Sequence, residues 1–383
     1  MDIQLLLELL EKGEDSSRQF KRDVTNADSL AGDFVAFSNG AGGKMFIGVN
    51  DDGSISGLSG EDIRRLNQLI SNTASQNVKP AINPVTENTK TDGGLVMIVD
   101  IPSGINKPYQ DNNGVFWVKS GSDKRKTTSR EEIQRLLHKA NLIHADEIPV
   151  QGTTIDDMDM DYFNEFFLKR FGETLEMQKQ PMPIILENMK LLKDGLLTVG
   201  GTLLFAKNPN FALPAFIVKA GAFDANDLST SNYNDSRDIT GKISEVCKQT
   251  VYFVLSNLRH LQKEQGFNSV GIPEIPHEAV EELVANALIH RDYFISAPIR
   301  VFIFRNRVEI ISPGHLPNNL TVENIISGIS NARNPALASY ASYILPYRGY
   351  GSGINKALTM YPHIDFTDDR DGNMFKVTLK RSI

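Results

Sequence analysis

Apolar positions in the first part of the chain follow two periods, one helical and one typical of strands. A helical spacing over 3–12 ends near Gly13, and a second helical run at 30–38 leads into the turn cluster 39–43, which a helix does not tolerate. The remaining predicted elements are helices at 61–75 and 129–139 and strands at 44–49, 95–101 and 115–119. This alternation predicts a compact α+β unit over residues 1–143.

The rest of the chain divides into two further stretches. Residues 144–156 are polar and contain Pro149 and Gly152, which indicates a linker. The elements predicted within 144–270 are helices at 159–170, 183–193 and 241–265 and strands at 201–206 and 214–223. Those predicted within 271–383 are helices at 276–290, 321–329 and 354–360 and strands at 299–305, 307–312 and 374–380. The expected fold class is α+β multidomain: a domain at 1–143, a connecting α+β segment at 144–270 and an α/β sandwich at 271–383.

Composition narrows the class of protein. Hydrophobic residues make up 40% of the 383 positions and charged residues 23%, the balance of a globular protein. Cys247 is the single cysteine, which excludes an intrachain disulfide and a cysteine-cluster metal site. The N-terminus lacks a basic leader, and no apolar run reaches the roughly 18 residues of a membrane span. We therefore expect a cytoplasmic protein without a membrane partner.

Net charge limits how the chain can bind nucleic acid. The formal charge is −7, so such binding requires a local basic patch rather than the overall field of the protein.

A carboxylate and an amide share one face of a predicted helix near the C-terminus. Glu282 and Asn286, in the sequence EELVANALIHRDY, lie one helical turn apart. An Asn oxygen can bind Mg²⁺, which prefers hard oxygen ligands and bridges phosphates, and a neighbouring carboxylate can activate water. The alternative is an ordinary solvated Glu beside a capping or buried Asn.

Two glycine-containing turns follow this helix. The strand RVEIISPGHLP breaks at Pro313-Gly314, and GYGSGI at 349–354 leads into a helix. Backbone amides at such a turn and helix start can bind an anion. The order of helix, strand-to-glycine and glycine-rich turn resembles the N, G1 and G2 boxes of the GHKL superfamily, the class of histidine kinases, gyrase and the Hsp90 chaperone.

The resemblance implies an ATP site with Mg²⁺ in the C-terminal domain. Glu282 would be the general base and Asn286 the Mg²⁺ ligand. The other residues that it implies for nucleotide binding are Ser312, Gly314, Arg333, Asn334, Gly349, Gly351 and Gly353. His290, Arg291 and Asp292 would lie beside the N box.

The motifs NALIHRDY, ISPGHLP, ARNPALA and GYGSGI resemble the histidine-kinase-like ATPase module of bacterial transcriptional regulators, some of which carry a helicase-related label. The G1 box departs from this family's pattern, because Ser312 stands in place of its Asp and Leu316 in place of its second Gly. We expect nucleotide binding, and at most weak hydrolysis. The chain has no G-x-x-x-x-G-K-[ST] loop, which argues against a motor helicase.

The N-terminal segments EDSSRQFKR, FVAFSNGAGGKMFIGVNDDG and WVKSGSDKRKTTSREEIQRLL resemble the AlbA-type Schlafen-like domain. This family is associated with nucleic-acid binding, and Schlafen relatives cut RNA with three carboxylates. The candidates here are Glu14, Gln19 and one of Asp51 or Asp52. Because Gln19 replaces the second carboxylate, we expect binding without cleavage.

Basic residues cluster around a Gly-Ser turn in the same domain. The candidate phosphate contacts are Lys21, Arg22, Lys119, Lys124, Arg125, Lys126 and Arg130. Phe116 and Trp117 lie beside them on an alternating strand, so that one of the two rings can face outward and stack on a base. A solvated basic loop beside a core aromatic residue explains the same pattern and is the alternative.

The two resemblances imply a nucleotide-responsive regulator that binds DNA, with RNA as a second candidate, and that can form a homo-oligomer. One rival is an enzyme, either a weak GHKL ATPase or a Schlafen-type nuclease. The other rival is a degenerate scaffold for protein contacts. Residues 145–270 indicate no chemistry.

Overall fold

The computed structural model describes most of the chain, in six stretches: 1–140, 142–228, 233–261, 271–317, 320–347 and 351–381. These residues form two compact units, Met1–Ile143 and His144–Ile383, and each unit combines helices with mixed sheets. The predicted α+β multidomain class is confirmed. None of the described helices combines the length and the apolar character that a membrane span requires.

The N-terminal unit is a four-stranded sheet with helices on both faces. In chain order its elements are α1 (Ile3–Glu11), β1 (Arg18–Lys21), α2 (Ala27–Asn39), β2 (Gly42–Ile47), α3 (Gly60–Asn72), a π-helical turn (Thr73–Asn77), β3 (Val78–Lys79), β4 (Val85–Thr91), β5 (Gly94–Pro102), β6 (Gln110–Asp111), β7 (Trp117–Ser120), β8 (Asp123–Lys126) and α4 (Arg130–Lys139). The sheet order is β1-β2-β5-β4, with β1 parallel to β2 and the other pairs antiparallel. The strands β7 and β8 form a separate hairpin.

Strand alternation divides the core of this unit in two. Met45 and Ile47 of β2 pack in one cluster with α2, whereas Phe46 between them packs on the opposite face with Leu6 and Leu10 of α1. Successive side chains of a strand point to opposite faces, so a single strand supplies both cores.

The turn after α2 depends on Asn39 and Gly42. The Asn39 amide donates to the carbonyls of Tyr109 (2.9 Å) and Trp117 (3.0 Å) and accepts from the Tyr109 amide (2.7 Å). Gly42 has φ +80°, and a Cβ there would lie 2.6 Å from the Ser103 nitrogen. A positive φ with backbone this close favours glycine.

The C-terminal unit is built on a six-stranded sheet. Its helices and strands are α5 (Met160–Phe171), α6 (Met182–Asn188), β9 (Leu192–Lys193), β10 (Leu196–Leu197), α7 (Val199–Phe205), α8 (Pro209–Ala212), β11 (Val218–Phe223), β12 (Tyr233–Ile239), α9 (Ile243–Ser256), β13 (His260–Leu261), β14 (Ile272–Pro273), α10 (His277–His290), β15 (Ile299–Ile303), β16 (Arg307–Pro313), α11 (Val322–Ile326), α12 (Pro335–Ile344), α13 (Gly353–Met360), β17 (Ile364–Asp369) and β18 (Met374–Lys380). Three short 3-10 turns precede α6: Ala145–Glu147, Ile155–Asp157 and Leu175–Met177.

The sheet order is β12-β11-β15-β16-β18-β17. Only the β11–β15 pair is parallel among the pairs of this sheet that the described residues form. Residues 144–270, the connecting segment of the sequence analysis, thus supply two strands of the sheet and the helix α9. One hydrophobic core contains side chains from both stretches, for example Val218, Val251, Leu283 and Val301.

Two secondary-structure predictions were wrong in this unit. Residues 201–206 were predicted as a strand but belong to the helix α7, whose first turn is capped by Thr198 Oγ1 accepting from the Gly201 nitrogen (3.0 Å). Every residue of α7 is buried, and a short, wholly apolar run has no period that separates a strand from a helix. The helix predicted over 241–265 ends at Ser256, and His260–Leu261 pairs with Ile272–Pro273 as a short hairpin.

Candidate nucleotide site and nucleic-acid interface

A cleft in the C-terminal unit lies between the sheet, α10 and α13. It encloses about 1100 Å³, counting its open mouth. Its floor is one face of the sheet, where Ile310 and Ser312 of β16 line the cleft with Phe375 and Val377 of β18 and Phe366 of β17. A largely apolar floor with a few polar groups at its edge is typical of small-molecule sites.

Glu282 and Asn286 meet on the wall that α10 forms. The Asn286 amide nitrogen donates to the Glu282 carboxylate (2.8 Å) and to the Glu282 carbonyl (2.7 Å). Both bonds use the amide nitrogen. The amide oxygen of Asn286 therefore remains as a possible ligand for a cation. Burial raises the pKa of the Glu282 carboxyl, against the opposing effects of the Asn286 bond and the Lys356 charge. A carboxylate with a raised pKa is a better proton acceptor at neutral pH.

The glycine-rich turn packs directly against this pair. A Cβ on Gly353, the first residue of α13, would collide with the Glu282 carboxylate. Gly351 has φ +70°, and a Cβ there would collide with the backbone oxygen of Gly328. The amides at the start of α13 therefore lie beside Glu282. Gly349 lies outside the described residues.

Ser312 lies on the cleft floor, and it is 6% exposed. Its hydroxyl donates to the carbonyl of Ala287 on α10 at 3.2 Å. Because the hydroxyl hydrogen is used in this bond, the Ser312 oxygen is left as an acceptor.

The Gly314 loop (313–317) is supported by Arg333. The Arg333 guanidinium donates to the His315 carbonyl at 2.6 Å. Gly314 has φ +96°, and a Cβ on it would lie 2.5 Å from the Asp292 Cβ and would collide with the guanidinium. Burial lowers the pKa of Arg333. Arg333 thus positions the loop and also lines the cleft.

Three residues at or beside the end of α10, Asn334, Arg291 and His290, differ in whether they line the cleft. Asn334 is fully buried and donates to the carbonyls of Ile289 (2.8 Å) and Arg291 (2.9 Å), at the end of α10. Arg291, 1% exposed, donates to backbone carbonyls of the following loop. His290 lines the cleft beside the Tyr347 hydroxyl (3.1 Å), and burial with the nearby Arg333 charge lowers the pKa of His290 to about 4.

In the N-terminal unit, Lys124 is part of a buried polar cluster. Its ammonium lies 3.0 Å from the carboxylate of Asp33, a residue 3% exposed on α2. The Gln19 amide donates to the same carboxylate at 3.3 Å. Asp33 was not among the predicted site residues. The signal in the sequence was a single acid inside the apolar helical run LAGDFVAF.

The other basic residues differ in how far they are engaged. Arg125 forms a two-pronged ion pair with Glu132. Lys119 donates to the Ser122 carbonyl and lies over the Phe37 ring, and burial lowers its pKa against the attraction of Asp33 and Glu14. The exposed members of the set are Arg22, Arg125, Lys126 and Arg130, and Lys21 is half-buried.

Trp117 packs inward rather than presenting a free face. Its indole nitrogen donates to Asp111 at 2.8 Å, and its ring lies against Gly32 of α2, where a Cβ would come within 3.2 Å. The ammonium groups of Lys124 and Lys126 lie 5.4 and 5.3 Å from the ring. The indole is therefore part of the hairpin's attachment to α2.

The carboxylate candidates for nuclease chemistry do not converge. Glu14 accepts from the Phe20 backbone amide (2.6 Å), while Asp51 and Asp52 lie exposed in the turn after β2. Hydrogen bonds from Ser54 lower the pKa of Asp52. Within the described ranges, no group of three His, Cys, Asp or Glu side chains is arranged to hold a metal ion.

Together these residues describe a two-unit protein with a candidate small-molecule cleft in its second unit. Residues 14–129 match the family described as "Schlafen, AlbA_2", and residues 296–379 match the family described as "Putative ATP-dependent DNA helicase recG C-terminal". The chain thus carries a Schlafen/AlbA_2 domain followed by a RecG-related HATPase_c_4 domain. The second match begins after α10 and does not include Glu282 and Asn286.

Solved structures with similarity to the chain share little of its sequence. The DIP2311 protein from Corynebacterium diphtheriae is 21% identical with a TM-score of 0.47, over 99% of this chain and 79% of that one. The N-terminal domain of a putative ATP-dependent DNA helicase RecG-related protein from Nitrosomonas europaea is 21% identical with a TM-score of 0.24, over 33% of this chain and 93% of that one. No curated protein matches the chain.

Proposed function

We propose that the protein is a nucleotide-responsive regulator that binds ATP with Mg²⁺ in the C-terminal cleft and DNA through the N-terminal unit. The two matched families support a nucleic-acid-related function that depends on ATP. The proposal goes further than these matches in two respects: that the protein regulates transcription, and that the cleft is a nucleotide site of the GHKL type.

The observation that carries the proposal is the meeting of Glu282, Asn286 and Gly353. A helix of eight residues begins at Gly353, directly beside the carboxylate–amide pair. Free amides at a helix start favour phosphate, and the Asn286 oxygen suits Mg²⁺. Lys356 on the same helix lines the cleft and adds positive charge. The residues present therefore fit a nucleotide with its cation.

Each residue has a separate task in this proposal. A Mg²⁺ ion bound with the nucleotide would neutralise phosphate charge. Asn286 would hold that ion, and the apolar floor would receive the base beside the Ser312 oxygen. Glu282 would accept a proton from water during weak hydrolysis. Because burial raises the pKa of Glu282, hydrolysis should decline on acidification at a higher pH than for an exposed Glu.

Calorimetric titration with a non-hydrolysable ATP analogue, with and without Mg²⁺, tests the nucleotide half. Asn286→Ala should remove the Mg²⁺ dependence of affinity, whereas Asn188→Ala, an exposed change on α6, should leave it intact. Glu282→Gln should abolish phosphate release and leave affinity nearly unchanged, since a general base acts on water rather than on the bound nucleotide. A protein that binds no nucleotide at millimolar concentration would favour the scaffold alternative.

For the nucleic-acid half, the proposed surface consists of the exposed cations of the N-terminal unit. Arg22, Lys126 and Arg130 are exposed, and Lys21 lies near Lys119. Cations of this kind contact phosphates without reading sequence. A gel-shift titration with duplex DNA and with RNA at several salt concentrations distinguishes the two polymers. If neither binds, the N-terminal half of the proposal fails.

A further inference from the structure

Asp146 is a buried carboxylate in the segment for which the sequence indicates no chemistry. Its side chain is fully buried in the turn Ala145–Glu147. One carboxylate oxygen accepts from the backbone amide of Leu337 at 2.8 Å, across 191 positions of sequence. The other oxygen is buried without a hydrogen-bond partner among the described residues. Such a group lowers the free energy of unfolding, so stability alone does not explain its presence.

The amide that Asp146 accepts from belongs to the first turn of α12. Amides in the first turn of a helix have no partner within the helix, and a carboxylate there also interacts favourably with the helix dipole. Asp146 therefore holds the start of α12 in place. The segment 333–337, from Arg333 to this amide, is called the α12 entry segment below.

The α12 entry segment contacts two parts of the structure that border the cleft, the end of α10 and the Gly314 loop. Asn334 donates to Ile289 and Arg291 at the end of α10, the helix that carries Asn286. Arg333 donates to His315 in the Gly314 loop. Three attachments thus meet within five residues: α10, the Gly314 loop and Asp146.

We infer that Asp146 is a positioning residue of the candidate nucleotide site, acting through the α12 entry segment on α10 and on the Gly314 loop. This inference rests on the proposed nucleotide function for its consequence in binding, but the mechanical link can be measured without nucleotide. The segment 144–270 then contributes to the site from outside the matched family region.

The electrostatics of this carboxylate provide a readout that packing alone would not give. Burial raises the pKa of Asp146 to about 6, with Glu147 raising it further and the Leu337 amide and His144 lowering it. Tyr293 also faces the group. Because the folded protein raises this pKa, the closed segment keeps a proton that an opened and hydrated Asp146 would release. Opening of the link should therefore become easier as pH rises through about 6.

Hydrogen–deuterium exchange of the full chain without nucleotide tests the link. Asp146→Ala should speed exchange several-fold in 288–292 and 312–317. The matched control is Asp159→Ala, which removes the cap of α5 and its ion pair with Lys242 and should leave both segments unchanged. Equal protection of both segments in Asp146→Ala and the parent protein would overturn the inference, as would the same loss in the control.

A pH series separates positioning from simple packing. After correction for intrinsic exchange, the parent protein should lose protection in these segments between pH 5 and 7.5, whereas Asp146→Asn should show a flat profile. This near-isosteric variant also decides the matter if Asp146→Ala fails to fold. A variant with the parental pH profile would contradict the proposal.

Calorimetry then connects the link to binding. Affinity for the ATP analogue at pH 7.5 should fall about tenfold in Asp146→Ala, which corresponds to about 1.4 kcal/mol. If no variant and no parent protein binds nucleotide, the proposed function fails while the exchange experiment still decides the positioning role. If nucleotide binds equally to the parent and to both Asp146 variants, the positioning role in binding fails alone.

Discussion

The cleft of the C-terminal unit and the hairpin β7–β8 of the N-terminal unit both contain clusters of polar residues, but they use them differently. In the cleft, Glu282 and Asn286 bond mainly to each other and face open space. In the hairpin, Lys124 is bound to Asp33 and Arg125 to Glu132. Polar groups in the first region are available for a ligand, while Lys119, Lys124 and Arg125 in the second are bonded to neighbouring residues of the fold.

Backbone geometry explains the difference. Two residues four apart on a helix share one face, so the cleft pair stays together whatever surrounds it. Neighbouring residues of a strand point to opposite faces, so Lys124 and Lys126 both lie over Trp117 while Arg125 between them faces Glu132. Consecutive basic residues in the sequence therefore differ in role: some hold the fold together and others are exposed to solvent.

The sharpest test of this comparison is removal of the half-buried Lys124, the ion-pair partner of the buried Asp33. Lys124→Ala should lower the free energy of unfolding of the N-terminal unit by about 3 kcal/mol, because it leaves the buried Asp33 carboxylate without its opposite charge, with only the Gln19 amide as a hydrogen-bond donor among the described residues. Trp117 is the only tryptophan and reports this unit by fluorescence in a urea titration. Lys126→Ala removes the exposed neighbour on the same face and should change stability by less than about 0.5 kcal/mol. If both variants lost similar free energies of unfolding, the proposed difference between a structural Lys124 and an exposed Lys126 would be wrong.

The second prediction concerns the glycine turn of the cleft. Gly351→Ala should weaken affinity for the ATP analogue at least about tenfold, because the new methyl group would collide with Gly328 and move the turn. Gly195→Ala is the matched control: its φ is also positive, at +77°, but its Cβ would meet nothing within 4 Å. Equal affinities in the two variants, measured by calorimetry, would show that the turn does not contact the nucleotide.

A third prediction concerns Gln19, which stands where the Schlafen pattern has a carboxylate. Gln19→Glu should not produce RNA cleavage with Mn²⁺, because its side chain faces Asp33 rather than Glu14. Two carboxylates in this buried cluster repel each other, so unfolding should become easier by about 1–3 kcal/mol.

The destabilisation by Gln19→Glu should be larger at pH 8 than at pH 4, where one of the two carboxylates can be protonated. Urea titrations at both pH values, followed by Trp117 fluorescence, measure it. Cleavage above the background of the parent protein, lost again on changing Glu14, would mean that the cluster is catalytic after all.

The smallest expected effect lies on the exposed side of the hairpin. Changing Lys126 and Arg130 together to Ala should reduce the slope of log affinity against log salt by about 1 for each phosphate that the variant no longer neutralises. Lys90→Ala, an exposed change on β4, should leave the slope as it is. Filter binding with duplex DNA measures both slopes. An unchanged slope in the double variant would place the interface elsewhere in the chain.

Local patterns predicted the parts of the molecule whose geometry is local. The helical period predicted α10, and the spacing of Glu282 and Asn286 on it predicted their meeting. Helix-breaking glycines predicted the turn at 39–43. In contrast, β4, with the sequence VTENTKT, has few apolar positions and was not predicted, and α7 is buried on all sides and so has no distinguishing period.

Contacts between residues far apart in the sequence could not be predicted from local patterns. Nothing near Asp146 indicates Leu337, and nothing near Lys124 indicates Asp33, since these pairs form only when separate elements pack. Asn334, which was predicted at the nucleotide, donates to two carbonyls at the end of α10. The sequence could not indicate this contact, because it depends on where the end of that helix lies in the fold.

The parallel pairing of β11 with β15 limits which fragments of the protein can fold on their own. A fragment that begins at residue 271 would lack β11, β12 and α9, which leaves one side of β15 without hydrogen-bond partners and the α9-facing surface of α10 open to water. Open strand edges of this kind promote self-association. We expect the fragment 271–383 to aggregate on expression and 144–383 to stay monodisperse, so that recombination between relatives would succeed at the break near 143 and fail at 270.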